Sequence, residues 1–370
     1  MNGQHPFSTA APGLLLVRGV NWLGDAVMTT PALLRLRERF PEARIALLTP
    51  EKLADLWRDH PAVNDVIFPN AGDGAFATAK VLREGKFDLA LVLPNSPRSA
   101  LEVFFAGIPK RIGYARPWRN FLLTQAVAPR PEGMEMHKRS ISEINAAIAG
   151  HESRINYPSS AHQIHEYLRL VAALGANSAP LPPQLFVTPG EIEAARTKFG
   201  LEKISGPILG LNPGAEYGPA KRWPAERFIA AAREIHRQTN CVWLLFGGKN
   251  DTTAAAQIQS ALGPLAINLS GQTTLRELMC LLKLCRVLLT NDTGPMHVAA
   301  ALGTPVVAPF GSTSPELTGP GLPGDRRHRL LQSGAPCSPC FLRECPIDFR
   351  CMNGIGVDTV VEAVMETWKS

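Results

Sequence analysis

Short runs of consecutive apolar residues alternate with stretches whose apolar residues recur every three or four positions, and that rhythm organises the first half of the chain. Leu14–Val20 (LLLVRGV) is such a run and predicts a buried strand, followed by Ala26–Phe40 with apolar residues at helical spacing. Ala43–Pro50 and Asp65–Pro69 predict the next strands, Ala75–Glu84 a helix, and Phe87–Pro94 another strand. Runs that are apolar throughout, rather than alternating, belong to strands covered on both faces, so strands separated by helices imply a parallel sheet.

The rhythm stops at Ala128–Ser160, a polar stretch expected to form a loop with a short helix over the first domain. A helix follows at about His162–Leu174, and the proline-rich Leu174–Glu191 reads as an interdomain linker. Alternation then resumes: strands at Gly206–Asn212, Cys241–Gly248, Arg286–Asp292 and Thr304–Gly311, and helices at Ala225–Gln238, Asp251–Leu262, Thr274–Leu282 and Pro295–Leu302. The expected organisation is an α/β chain of two Rossmann-like domains, 1–180 and 181–356, closed by an amphipathic C-terminal helix at 357–370. Parallel sheets of this kind bind ligands beyond the carboxyl ends of their strands, which places the chemistry in loops facing a cleft between the domains.

A length of 370 residues fits two cores better than one. No apolar run approaches the ~18 residues of a membrane span. The start, MNGQHPFSTAAPG, lacks the basic and apolar segments of a signal peptide, so a cytoplasmic protein is expected. The formal charge of +6 suits an anionic partner such as a phosphorylated sugar or an acidic membrane surface. Without a dense basic block or a base-stacking motif, nucleic acid is not expected.

Three strand-to-helix turns carry candidate chemistry. In Gly19–Asp25 (GVNWLGD), Asp25 reads either as a helix N-cap or as a general base kept ionised at the helix's positive end. The turn is not a GxGxxG fingerprint, so a nicotinamide or flavin is not expected. In Asn212–Pro224 (NPGAEYGPAKRWP), Lys221 and Arg222 precede a helix start, where a diphosphate would be held and stabilised as it leaves; otherwise they are solvated. In Thr290–His297 (TNDTGPMH), Thr293 and Gly294 offer a hydroxyl and open backbone N–H groups to phosphate, and Asp292 an acceptor to sugar hydroxyls. The plainer reading is a capped helix with His297 packed inside it.

Weaker signals surround these. Gly248, in FGGKND, sits in a turn flat enough for a nucleoside, with Lys249 or Asp251 near a ribose, or in an ordinary turn. Asn95, Ser96 and Arg98 follow a strand, and Lys110, Arg111, Arg116 and Arg119 lie near Tyr114 and Trp118. That basic and aromatic group suits an acidic sugar acceptor, and equally a solvated basic face. Of seven cysteines, Cys241, Cys280 and Cys285 lie in apolar segments and read as core. Cys337, Cys340, Cys345 and Cys351 form C-x2-C-x4-C-x5-C, which reads as a tetrathiolate zinc site or as reduced, metal-free thiols.

Four segments, VRGVNWLGDAVMTTPAL, LPNSPRSALEVFFAGIPKRIGY, PGAEYGPAKRWP and NDTGPMHVAAALGTPVVAPFGSTSPE, resemble in order and spacing the ADP-heptose:lipopolysaccharide heptosyltransferases, glycosyltransferase family 9. The resemblance runs from about Leu14 to Pro315 and omits Ala128–Ser160. It implies a GT-B fold, with an N-terminal acceptor domain, a C-terminal nucleotide-sugar domain and inversion at the anomeric carbon. The implied donor is ADP-L-glycero-β-D-manno-heptose. The implied acceptor is a Kdo-lipid A core bearing one heptose, which brings the protein to the cytoplasmic face of the inner membrane as a peripheral enzyme. By motif, Asp25 matches the proposed base and Lys221 the lysine at the donor diphosphate. Asp292, Thr293 and Gly294 match the motif at the donor's phosphates and sugar, with Glu216 and Tyr217 in the same donor-side loop. With no Asp-x-Asp motif in a suitable loop, neither a catalytic metal nor a cofactor is expected. The same architecture also serves nucleotide-sugar epimerases, heptosyltransferases with other acceptors, and non-catalytic sugar-nucleotide-binding proteins, and these are the rival readings.

Overall fold

The computed structural model describes residues 12–70, 72–131, 133, 136–150 and 157–369. The expectation about a signal peptide falls mostly on residues 1–11, outside that set. Among the described residues no helix is long and apolar enough to cross a membrane.

Two six-stranded sheets, parallel throughout, form the framework. The first contains β1 (Leu14–Arg18), β2 (Arg44–Leu48), β3 (Asp65–Ile67), β4 (Leu89–Val92), β5 (Lys110–Tyr114) and β6 (Gln125–Val127), in the order β3-β2-β1-β4-β5-β6. The second contains β7 (Ile208–Asn212), β8 (Val242–Leu245), β9 (Ala266–Asn268), β10 (Leu288–Thr290), β11 (Val306–Phe310) and β12 (Arg329–Gln332). Its order, β12-β11-β10-β7-β8-β9, is the same topology repeated. In each sheet the direction of winding reverses beside the first strand, between β1 and β4 and between β7 and β10. Chain leaving those strands diverges and opens a crevice for ligand.

The central strands are apolar because both faces are covered. In the first unit Leu16, Ala46, Leu48, Ala90 and Val92 pack with Leu82, Ala100 and Val103 from helices Ala75–Glu84 and Pro97–Phe105. In the second, Leu209, Leu211, Trp243, Leu245 and Leu289 pack with Phe228, Ala232 and Ile235 of helix Ala225–Thr239.

Chain contacts divide the molecule into a unit of residues 1–133 with 163–186 and a unit of 134–162 with 187–370. This division differs from the expected organisation in three places. The stretch after Ala128 does not cover the first domain: helix Ile141–Ile148 buries Ile144 in the second unit's core, and Arg139 N–H donates to Cys340 O (3.0 Å). Its amphipathic side needed an apolar partner that sequence distance concealed. The C-terminal helix, Val357–Lys369, is not a separate element either. Val360, Val361 and Val364 complete the second core against helix Ala225–Thr239. The boundary falls after Phe186 rather than after residue 180.

Candidate functional site

Each unit presents polar groups at its own crevice. In the first, Gly19 follows β1 and its N–H donates to Leu48 O (2.9 Å). A side chain at Gly19 would stand 3.1 Å from Leu47 and from the Leu48 carbonyl, so glycine lets the turn lie against β2. Helix Leu23–Arg39 starts there, with Trp22 at its N-cap and no side-chain cap bond. Asp25 is therefore not the cap; it is the third residue of the helix. The Gln163 amide donates to Asp25 Oδ1 (3.3 Å) and also to the Tyr167 hydroxyl (3.0 Å). Burial, and then the Asp25 charge, raise the Tyr167 pKa well above the usual phenol value, so it stays protonated. The result is a half-buried carboxylate at a helix's positive end, held by a neutral amide.

Asn95 and Ser96 are exposed, and Ser96 caps helix Pro97–Phe105 by accepting from Ser99 N–H (3.3 Å). Arg98 projects from the next turn and binds Glu102 (3.2 Å). Of the other basic residues Lys110 is exposed and Arg116 half-buried, whereas Arg111 and Arg119 are engaged within the fold. Arg111 lies on β5 and donates to the carbonyls of Leu122 (2.8 Å) and Ile108 (2.5 Å). Arg119 is wholly buried, donates to Pro94 O (2.7 Å), and burial lowers its pKa to about 10. Arg111 ties β5 to its flanking loops and Arg119 ties the loop after β5 to the chain leaving β4, a use of arginine that charge patterning cannot distinguish from a ligand site.

In the second unit the loop after β7 meets the loop after β10. Asn291 fastens them, donating to Pro213 O (2.7 Å) and accepting from Trp223 N–H (2.9 Å). Gly218 holds a positive φ of 154°, and a side chain there would meet Arg343 O at 2.5 Å. That glycine turn delivers Lys221, whose ammonium stands 2.6 Å from Asp292 Oδ2. Thr313, just beyond β11, donates to the same oxygen at 2.6 Å. Lys221 also lies over the Tyr217 ring (5.0 Å), as does Arg343 from the segment after β12 (5.1 Å), while the Tyr217 hydroxyl donates to Phe341 O (2.8 Å). Thr293 takes the N-cap position of helix Gly294–Ala301 without a side-chain cap bond. Its hydroxyl is thus not committed to the helix end. A cation, a hydroxyl and a helix start converge on Asp292, a set suited to a polyanion bearing a sugar.

The remaining donor-side candidates sit around this cluster. Glu216 is exposed, and Arg222 donates to Ala215 O (3.3 Å) and lies 3.8 Å from Asp251. Gly248 is exposed, its N–H donating to Asp251 Oδ2 (3.0 Å). His297 is buried beneath Asp292, and desolvation lowers its pKa to about 4.

His297 gives a pH prediction. Its folded pKa lies below the usual 6.5, so between about pH 6.5 and 4 the unfolded chain binds a proton that the folded one refuses, and stability falls as pH drops through that window. His60 and His328, also lowered by burial to about 4, act in the same direction. Urea titrations at a series of pH values should show a shallower acid decline for His297→Gln than for the unaltered protein, by about one proton's worth.

Cys337, Cys340 and Cys345 lie between β12 and helix Arg350–Asn353, which carries Cys351. Burial raises the Cys337 and Cys340 thiols and pushes Cys351 to about 12, and the neighbouring thiols add to each shift. Among the described residues no group of three or more His, Cys, Asp or Glu side chains is gathered so as to hold a metal ion. Cys241, Cys280 and Cys285 are buried, as expected of core residues.

Four participants were not singled out in the sequence. Thr313 stood in the GSTSPE segment directly after a predicted strand, so the carboxyl-end rule pointed to it. Asn291 lay within TNDTGPMH, but its role as a clasp did not show. Gln163 and Tyr167 had no signal, because they reach Asp25 from a helix 138 positions away.

The sequence profile of Glycosyltransferase family 9 (heptosyltransferase) matches residues 75–150 and 121–349. Lipopolysaccharide heptosyltransferase 2 of Escherichia coli K12 is 34% identical over 323 residues, 83% of this chain and 85% of that protein. Lipooligosaccharide heptosyltransferase 2 of Haemophilus ducreyi is 33% identical, with the same shares covered. The solved structure of E. coli ADP-heptose lps heptosyltransferase II superposes with a TM-score of 0.76 at 29% identity, over 96% of this chain and 98% of that one. A glycosyltransferase family 9 structure from Veillonella parvula, 20% identical, shares the fold with a TM-score of 0.78 over 98% and 99%.

Proposed function

Because the chain belongs to glycosyltransferase family 9, the heptosyltransferases, and is a GT-B enzyme of heptose transfer in lipopolysaccharide core biosynthesis, we propose a specific pair of substrates for it. The donor is ADP-L-glycero-β-D-manno-heptose, and the acceptor is a Kdo-lipid A core that already carries one heptose. The observation that carries the donor assignment is the Lys221–Asp292–Thr313 cluster beside the start of helix Gly294–Ala301. Lys221 and the helix's N–H groups hold the diphosphate, Asp292 and Thr293 take sugar hydroxyls or phosphate oxygens, and Glu216, Tyr217, Arg222, Gly248 and His297 belong to the donor's surroundings. Asn95, Ser96, Arg98, Arg111 and Arg119 belong to the acceptor side, with Arg111 and Arg119 acting through the backbone they hold.

In the reaction, Asp25 accepts the proton of an acceptor heptose hydroxyl while that oxygen bonds to the donor's anomeric carbon. The bond from that carbon to the diphosphate breaks, ADP leaves with the electron pair, and configuration inverts. The transition state has oxocarbenium character, as in glycoside hydrolysis. Lys221 and the helix start stabilise the charge growing on the diphosphate, the work a divalent metal does in other transferases, so no metal or organic cofactor enters the scheme. A lipid-linked acceptor requires that the enzyme work on the cytoplasmic face of the inner membrane as a peripheral protein.

The test is ADP release from ADP-heptose, with EDTA present, with and without heptosylated Kdo-lipid A. Release that depends on the acceptor is expected. Isomerisation of ADP-heptose without acceptor, or binding without turnover, would overturn the assignment in favour of an epimerase or a passive binding protein.

A further inference from the structure

Most of the large apolar side chains left exposed among the described residues belong to the first unit, and one group of them is continuous. Phe76, 70% exposed, lies in the first turn of helix Ala75–Glu84 and stacks on Phe105 at the end of helix Pro97–Phe105, with ring centres 4.2 Å apart. Phe104 meets Phe105 edge-on (5.5 Å), and the Arg111 guanidinium sits over Phe104 (5.3 Å) while donating to Leu122 O (2.8 Å). Phe121, 74% exposed, precedes Leu122 in the loop between β5 and β6, and Trp118, 84% exposed, is in the same loop. Contacts therefore lead from Phe76 to the loop that carries Phe121 and Trp118.

The backbone holds that loop in an unusual way. Trp118 has a φ of 61°, in the left-handed region where a bulky side chain is strained, while the next residue, Arg119, is buried and bonded to Pro94 O (2.7 Å). One side chain anchors the loop inward and its neighbour stands in water. A strained residue that exposes an indole points to a use for that exposure.

The same stretch is the basic part of the chain. Between Ala75 and Thr124 eight lysines and arginines stand against three acids, which accounts for five of the six net formal charges. Two of the acids are engaged: Glu102 is buried against Arg18 and Arg98, and Asp88 accepts from Leu14 N–H (2.8 Å). Lys80 is exposed one turn beyond Phe76 on the same helix face, Arg83 donates to Phe105 O (2.6 Å), and exposed Lys110 precedes Arg111. Aromatic rings rimmed by cations match an anionic bilayer, whose headgroup layer takes the rings and whose phosphates take the charge. A second copy of the chain would instead bring like charge against like.

We propose that this face of the first unit docks the protein on an anionic membrane, with Phe76, Trp118 and Phe121 entering the headgroup layer and Lys80, Arg83 and Lys110 meeting lipid phosphates. The assignment rests on the reading of the acceptor as lipid-linked, and says which part of the chain meets the bilayer that carries it.

Co-sedimentation of the full chain with vesicles tests it, using phosphatidylcholine alone and phosphatidylcholine mixed with phosphatidylglycerol. Binding to the mixed vesicles that weakens in high salt is expected, with little binding to phosphatidylcholine alone. Phe76→Ser/Phe121→Ser should weaken binding by about tenfold or more, and Lys80→Gln by about fivefold. Tryptophan emission should shift to the blue on adding mixed vesicles, and that shift should be absent in Trp118→Phe. With a deacylated, soluble acceptor the phenylalanine double variant should keep the kcat and KM of the unaltered enzyme, and lose rate only when the acceptor is embedded in vesicles. Equal binding to both kinds of vesicle, or binding that the double variant leaves unchanged, would overturn the assignment. Equal loss of transfer to the soluble acceptor would overturn it too, and place the rings at the acceptor site. A dimer that the double variant dissolves while vesicle binding persists would give this face to a second copy. Vesicle binding without transfer to either acceptor by the unaltered protein would overturn the acceptor reading, and not this surface.

Discussion

Asp25→Asn is expected to lower turnover by about two to four orders of magnitude, the usual contribution of a positioned general base. An amide is nearly the same size as the carboxylate and still offers an oxygen to the Gln163 amide, so the contact at 3.3 Å survives the change. The helix keeps its start, because Trp22 and not Asp25 occupies the N-cap. What disappears is the capacity to take a proton, together with a negative charge at the helix's positive end. Rates of ADP release for folded Asp25→Asn, compared with the unaltered enzyme, read that loss. Turnover within a few-fold of normal would remove Asp25 from the reaction.

Lys221→Ala is the second large effect and acts on both activity and stability. Turnover should fall about a hundred- to a thousandfold, the cost of removing one donor aimed at developing charge. The same substitution strands Asp292, 4% exposed, with Thr313 as its partner at the shared oxygen. Breaking a buried ion pair from one side costs about 3–5 kcal/mol, because the remaining charge stays desolvated. Urea unfolding should show that loss for Lys221→Ala, and the double variant Lys221→Ala/Asp292→Asn should recover most of the stability while staying inactive. A double variant that regained turnover would show that Lys221 serves only to neutralise Asp292.

The alternation of apolar runs was enough to place β1, β2, β4, β7, β8, β10 and β11, since a central parallel strand is apolar on both faces. The outer strands were harder. KRIGY at β5 mixes charge with apolar residues, QAV at β6 and AIN at β9 are only three residues long, and RLLQ at β12 follows a glycine- and proline-rich loop. In such strands one face or end is solvated and the pattern dissolves. The three strand-to-helix turns of the candidate site were legible because glycine, charge and helix start fall within a few residues. Long-range partnership was not: Gln163 beside Asp25, Ile144 in the second core and Arg119 inside the first unit all depend on tertiary neighbours. Arg119 shows the limit best, because a fully buried arginine and a ligand-binding one have the same sequence signature.

Chemistry at Asp25 and donor grip at Lys221 are separate tasks, and titrating ADP-heptose into the two variants tests that division directly. Asp25→Asn should bind the nucleotide sugar with an affinity within a few-fold of the unaltered protein, whereas Lys221→Ala should bind it far more weakly. Equal weakening in both variants, or undiminished binding by Lys221→Ala, would contradict it.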